Sequence, residues 1–183
     1  NDVGVIEFRN SLVPFVIPQI FTTFPNLIEL DIFNGGLQSI EIPDTVQLQR
    51  LFLSYNNLGR IANGTLNAQR NLLLLVAVNS NITEIEAGAF EGLSNLQELI
   101  LIQNQITDLG TAFQPLSSLE FLDLERNNIS RIDENTFSAS PQLQVVYLEF
   151  NQINEVSPLF SVAFRDNLQF INFRGNRCVN RAF

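Results

Sequence analysis

The sequence lacks the residue types on which most catalytic and metal sites depend. It contains no His, and its single Cys is Cys178. Without His, the chain has neither the commonest general base nor the commonest zinc ligand. A lone Cys forms no internal disulfide and finds no base to activate it as a nucleophile. Glycine-rich phosphate-binding motifs are also missing. The sequence therefore predicts a protein that is not an enzyme and that carries no cofactor and no metal.

Positive charge is scarce as well. Ten Arg and no Lys face nineteen acidic residues, which gives a net charge of −9. Nucleic acids and anionic membrane surfaces both require a basic face, so neither is an expected partner. The longest apolar run, Leu72–Val78, is too short to span a membrane. No signal peptide is visible in residues 1–10, so we expect that one was removed or that the chain is an excerpt of a longer protein.

One short pattern recurs along almost the whole chain. Residues 96–106 read L-x-x-L-x-L-x-x-N-x-I, with Asn104 at the Asn position. In the other copies this position holds Ser11, Gly35, Asn56, Ser80, Asn127, Asn151 and Asn176. Successive positions lie between 21 residues (Gly35 to Asn56) and 25 residues (Asn151 to Asn176) apart. The sequence therefore predicts a single domain over residues 1–183, built from about eight repeats.

This pattern resembles the leucine-rich-repeat family in its extracellular form. Residues 82–96 are similar to the return segment of extracellular members, and Phe21, Phe90 and Phe137 each lie ten residues past their Asn position, as in that class. The resemblance implies an α/β-type solenoid, a curved right-handed coil with a parallel β-sheet on its concave face and a mostly irregular convex side. Leu66 replaces the Phe in the third copy. Ser161 and the short second copy break the rule, so we expect an irregular convex side there.

The repeat also makes physical sense. Apolar residues at alternate positions, such as Leu99 and Leu101, form one buried strand face. No single copy can bury that face alone, so neighbouring copies must stack. Asn at the turn can bind backbone groups of its own and the adjacent coil. Because Ser11, Gly35 and Ser80 replace it only partly, weaker spots are expected at those coils.

The residues two, four and six places before each Asn position face the concavity, and through the middle of the chain they are apolar. The resulting apolar stripe comprises Phe33, Phe52, Leu74, Val76, Val78, Ile100, Ile102, Phe121, Val145 and Tyr147. Large exposed apolar patches usually mark interfaces, and aromatic side chains are typical anchors. We predict partner contacts by Phe33, Phe52, Val76, Val78, Ile100, Ile102, Phe121 and Tyr147. The alternatives are that β-branched residues simply favour strands, or that the register slips by one residue.

Acidic side chains frame this stripe. Glu29 and Asp31 lie on one side of it, and Asp123, Glu125 and Glu149 lie on the other. These carboxylates predict an acidic rim that steers a basic partner. Asp123 and Glu125 fall side by side, and paired carboxylates can perform acid–base chemistry or hold Ca²⁺. Two solvated carboxylates on a sheet face are the favoured interpretation.

Two further features bear on location. Three N-x-[ST] sequons begin at Asn63, Asn81 and Asn128, and none lies on the apolar stripe. Their number is what the Asn-rich composition predicts by chance, but their placement fits a secreted glycoprotein. Residues 175–178 are similar to the start of the C-terminal cysteine cap of secreted repeat proteins, including many from insects. Cys178 is then either a small buried hydrophobe or the half of a disulfide whose partner lies beyond Phe183.

Two functions are compatible with these features. The first is a non-enzymatic module that recognises a protein or other ligand through its concave face. The second is a structural secreted protein that dimerises or builds a matrix through the same apolar face. A stable homodimer in size-exclusion chromatography would favour the second.

Overall fold

The computed structural model describes residues 2–177, and its main feature is a parallel sheet with one strand from each repeat. The strands of this sheet are β1 (Val5–Arg9), β2 (Glu29–Phe33), β3 (Arg50–Phe52), β5 (Leu74–Val76), β7 (Glu98–Ile100), β8 (Phe121–Asp123), β10 (Val145–Tyr147) and β12 (Phe170–Asn172). Over residues 2–177 the sheet has eight strands, and each pairs in parallel with the strand of the next copy. Parallel neighbours need a crossover connection, and here each crossover is one return segment. The predicted solenoid fold is confirmed.

The return segments contain little regular structure. Short two-residue strands pair on the convex side: β4 (Arg60–Ile61) with β6 (Glu84–Ile85), and β9 (Arg131–Ile132) with β11 (Glu155–Val156). The helix α1 (Gln19–Thr23) is five residues long. These segments hold too few residues for long helices, and turns fill most of their length. In the part of the chain that the structure covers, no helix has the length and hydropathy to cross a membrane.

The Asn at each turn forms the predicted ladder of hydrogen bonds. Asn104 Oδ1 accepts from the backbone N–H of Ser80 at 3.0 Å and of Ile82 at 3.1 Å, and its Nδ2 donates to the carbonyls of Ala77 at 2.7 Å and Leu101 at 3.0 Å. One side chain thereby satisfies four buried backbone groups in two coils, and such groups would otherwise be costly to bury. Asn56, Asn127, Asn151 and Asn176 repeat this role.

Ser80 substitutes for Asn in part. Its hydroxyl donates to the Leu53 carbonyl at 2.7 Å, with the Val78 carbonyl at 3.1 Å as the alternative acceptor, and accepts from the Asn56 N–H at 3.5 Å. A hydroxyl carries one donor where the amide carries two, so this coil keeps only some of the ladder.

A row of Phe rings fills the solenoid behind the sheet. Phe90, Phe113, Phe137 and Phe164 contact one another edge to face, with ring centroids 5.6, 5.6 and 6.1 Å apart. Edge-to-face packing is a favourable geometry for aromatic rings. Phe164, three residues further along the chain, takes the place that the sequence rule assigned to Ser161. The row ends towards the N-terminus at Leu66, which is buried.

Candidate functional site

Side chains on the sheet strands alternate between the core and the concavity as predicted. In β5, Leu75 is 1% exposed, whereas Leu74 and Val76 on either side of it are half-buried. Strands β3 and β10 show the same pattern. A slip of one residue would reverse it, so the structure puts the apolar stripe on the outer face of the sheet.

The centre of the stripe is a continuous apolar surface. Phe52 lies beside Val76 in the strand register, and Val76 lies beside Ile100. Val78 and Ile102 form the next row, where the backbone N–H of Asn79 donates to the Ile102 carbonyl at 2.9 Å. All five of these side chains are half-buried by their neighbours.

An aromatic cluster covers the C-terminal strands. Tyr147 packs against Phe121 with ring centroids 5.7 Å apart and against Phe170 with centroids 5.2 Å apart. Phe170 is 43% exposed. Phe170 was not among the predicted partner contacts, although the same spacing rule places it on the sheet face. Phe121, Tyr147 and Phe170 therefore extend the apolar surface to the last strand.

Phe33 lies apart from the rest of the stripe. Its ring packs against Tyr55 at 5.0 Å between centroids, and the Arg9 guanidinium lies over it at 5.9 Å. Tyr55 is 45% exposed and has a positive φ of 61°. The strand rule missed Tyr55 because the residue lies on the turn just after β3. The positive φ turns the chain sharply there, so this side chain returns to the edge of the sheet face.

The carboxylates before the stripe are neutralised by Arg. Asp31 accepts a hydrogen bond from Arg9, and Glu29 accepts one from Arg50 at 2.5 Å. Desolvation nevertheless raises the pKa of Asp31, and the Arg9 charge opposes that shift. This end of the sheet therefore presents paired charges to a partner.

The carboxylates after the stripe differ, because two of them are buried without a cation. Asp123 and Glu149 are each 8% exposed, and no ion pair within residues 2–177 includes either. Glu149 accepts a hydrogen bond from Asn172, while its other oxygen has no hydrogen-bond partner in this part of the chain. Glu125 is less buried and pairs with Arg126 at 3.0 Å. We predicted an acidic rim, which implies exposed side chains. Asp123 and Glu149 are instead buried within the sheet face.

The environment of Asp123 disfavours its negative charge. Burial raises the pKa of Asp123 to about 6, the charges of Glu125 and Glu149 add to the shift, and a hydrogen bond from the Glu125 backbone N–H opposes it. That bond is 2.9 Å long. An incoming cation would stabilise the charged form of Asp123, because it would supply the counter-charge that the sheet lacks.

The three sequons lie away from the stripe. Asn63, Asn81 and Asn128 are all exposed. Asn81 belongs to a surface row in which its amide donates to Asn57 Oδ1 at 3.0 Å. Asn63 is on the return segment of the third copy. Glycosylation at these three sites stays a prediction.

Cys178 lies outside the described residues, so both interpretations of it remain open. Within residues 2–177, no group of three or more acidic, Cys or His side chains is arranged to hold a metal ion. The described sheet face therefore offers apolar contact and carboxylates.

Comparisons with known proteins identify the repeat. A family profile described as Leucine rich repeat matches residues 46–106, 70–129 and 110–153. The chain belongs to the leucine-rich-repeat family. Podocan of Mus musculus is 31% identical over 97% of this chain, osteomodulin of Bos taurus 28% over 90%, and lumican of Gallus gallus 29% over 98%.

These relatives are secreted proteins of the extracellular matrix, and the chain is an extracellular leucine-rich-repeat protein. The chain spans 29% of podocan, 38% of osteomodulin and 52% of lumican. The relatives therefore contain segments that have no counterpart in this sequence.

Solved structures share the coil. A crystal structure of the TLR13–ssRNA13 complex superposes with a TM-score of 0.89 at 26% identity, over 97% of this chain and 25% of that one. The Toll–Spatzle complex of Drosophila superposes with a TM-score of 0.78 at 22% identity, over 97% and 29%. The second likeness concerns the fold alone.

Proposed function

We propose that this extracellular leucine-rich-repeat protein is a non-enzymatic binding module that holds a protein partner on its concave sheet face. The observation that carries the proposal is the continuous apolar surface around Phe52, Val76 and Ile100, at strand positions that face away from the core. Solvated sheet faces usually alternate with polar residues. Because these side chains are already half-buried, covering one contributes less than the roughly 1.5–3 kcal/mol of full burial. Several must therefore act together.

The partner has an apolar patch bordered by Arg or Lys. Asp123 and Glu149 are buried carboxylates with no cation of their own in residues 2–177, and the whole chain carries a charge of −9. A second copy of the chain would bring the same uncompensated carboxylates to the interface, and like charges facing each other suppress association. This argument favours a basic partner over self-association.

The test replaces Val76 and Ile100 by Glu, singly and together. Neither residue belongs to the core, so melting temperature and circular dichroism should stay near those of the wild type. The matched control is Val162→Glu on the convex side, where Val162 is 53% exposed. Basic proteins captured from the extracellular fluid of the source should bind the wild type and the control in a salt-dependent way. They should not bind the Glu variants.

Three outcomes contradict the proposal. If Val76→Glu unfolds the protein, the stripe is core. If the Glu variants retain every partner, the stripe reflects strand propensity. If size-exclusion chromatography shows a stable wild-type dimer that the Glu variants lose, the face serves self-association and the basic partner is excluded.

A further inference from the structure

The solenoid contains a cavity of about 260 Å³ that no part of the concave-face proposal uses. It lies between the sheet and the return segments of the second and third copies. Its inner walls are aliphatic and include Leu53, Leu75 and Ala77 from the back of the sheet. Its mouth opens among the return segments, beside Glu41 and Arg60. The cavity is thus on the opposite side of the sheet from the apolar stripe.

A small side chain in the fourth copy, where the neighbouring coils have Leu, creates part of this space. The position three residues before the turn residue is Leu in the neighbouring coils, at Leu53, Leu101 and Leu124. In the fourth copy it is Ala77, which is buried and lines the cavity. Three carbon atoms are therefore absent at a point where close packing is the rule.

The Phe row is also interrupted at the same place. Phe90, Phe113 and Phe137 pack in sequence behind the sheet, whereas the third copy has the buried Leu66 at the corresponding position. Leu66 lines the cavity. Because Leu is smaller than Phe, Leu66 leaves additional space next to the space that Ala77 leaves.

The convex strand pairing breaks at the mouth. Phe15 pairs with Ser39, and β4 pairs with β6, but no strand pairing within residues 2–177 joins the segment at Ser39 to β4. Between the third and fourth copies, backbone bonds run from Thr83 N–H to the Gly59 carbonyl and on to β4. Within residues 2–177, no backbone hydrogen bond joins residues 39–42 of the second return segment to residues 58–66 of the third, and both stretches line the cavity.

We propose that this cavity is a binding site for a small, neutral, mainly apolar molecule. Cavities of about 150 Å³ lined by Leu, Ile and Phe stay dry and bind benzene, and this one is larger. An ion would lose its hydration against the aliphatic walls. At the mouth, Arg60 is already paired with Glu86 at 3.0 Å, and Glu41 would repel an anion. A ligand of roughly ten non-hydrogen atoms fits, with any hydroxyl or ring N–H at the mouth, near Thr65 and Glu41.

The experiment titrates the whole secreted chain with indole and with 1-hexanol, using calorimetry and the shift in melting temperature. Saturable binding with a dissociation constant of about 0.1–1 mM is expected for ligands of this size. Ala77→Leu fills the cavity and should weaken both ligands at least about tenfold while raising the melting temperature of the free protein. The matched control, Ala87→Leu, adds the same side chain at an exposed position and should bind as the wild type does.

Leu66→Phe is the second variant and fills the same cavity from its other wall. Hexanoate is the charged counterpart of hexanol and should not bind. Absence of saturable binding by the wild type would overturn the proposal. Equal binding by the wild type and by whichever filled variant folds would place the ligand elsewhere and overturn it too. Neither result depends on the concave face, because Val76 and Ile100 do not line this cavity.

Discussion

At the scale of single residues, Asp123 shows a conflict between stability and binding. It lies at the end of β8, buried beside Glu125 and Glu149, with one backbone N–H to stabilise its charge. A buried carboxylate without a cation destabilises the fold when it is charged. Such groups persist where a partner uses them, because functional sites often cost stability. Asp123 is therefore expected to reduce stability in the free protein and to contribute to the complex.

Asp123→Asn tests this conflict. The pKa of Asp123 rises from 3.8 unfolded to about 6 folded, so its proton favours the folded state. Stability from this group is present below pH 3.8 and is lost as pH rises towards 6. The Asn variant avoids that loss and keeps the acceptor for Glu125 N–H. Its free energy of unfolding should exceed that of the wild type by about 1–2 kcal/mol at pH 8 and by little at pH 4.

Urea titrations at several pH values measure this difference. Asp166→Asn, which removes an exposed carboxylate, is the matched control and should show no such pH dependence. A pH-independent difference for Asp123→Asn would show that its charge is well solvated. Under the proposed function, the same variant should bind the basic partner more weakly although it is more stable.

At the scale of elements, the turn that ends each strand organises the coil. The residue immediately before the turn position has a positive φ in every copy, including Gln103 at 57°, Arg126 at 57° and Phe150 at 52°. In the last copy Gly175 takes this place, and a Cβ there would lie 2.5 Å from the Phe150 ring. The left-handed residue turns the chain so that the following Asn points inward. Its amide can then reach two coils.

Asn104→Ala should therefore destabilise the protein strongly. The change leaves two N–H groups and two carbonyls without the partners that Asn104 provides. We expect a loss of about 3–4 kcal/mol, because each buried unsatisfied group costs roughly 1–3 kcal/mol and water can reach some of them. Asn95→Ala is the matched control, since exposed Asn95 makes one bond to the Arg70 carbonyl. Equal losses in chemical denaturation would refute the ladder argument.

The sequence predicted the elements that repeat and missed those that depend on exceptions. The Leu and Asn spacings predicted the strands, their register and the ladder, because every copy imposes the same constraint. Phe164 was missed because it lies three residues beyond the position that the rule assigns, and Tyr55 because the rule covers only strand positions and Tyr55 lies on the turn. The lack of an Arg beside Asp123 and Glu149 within residues 2–177 depends on which Arg side chains reach which strands. The cavity required Ala77 and Leu66 to coincide in space, which no single repeat reveals.

At the scale of the whole molecule, charge is distributed unevenly along the sheet. Arg9 and Arg50 neutralise the carboxylates of the first strands, whereas the buried acids of the later strands have no Arg within ion-pair distance in residues 2–177. The centre of the apolar stripe, around Val76 and Ile100, lies between these regions. A basic partner would therefore be oriented along the solenoid, with its cationic end towards the C-terminal strands, because electrostatic complementarity fixes orientation as well as rate.

The sequons fit this arrangement, since Asn63, Asn81 and Asn128 are exposed and lie off the stripe. Glycans at these sites would cover the turns and the return segments and would leave the sheet face accessible to a partner. Enzymatic deglycosylation of the protein from its native source should lower its mass, and the Asn→Gln triple variant should retain binding of the basic partner. The Asn128→Gln single variant is the cleaner test, because the Asn128 side chain makes no hydrogen bond within residues 2–177 that the substitution would remove. An unchanged mass would rule out glycosylation.

Loss of partner binding in a folded triple variant would mean that the partner contacts the glycosylated edges. The concave face would then be only part of the interface.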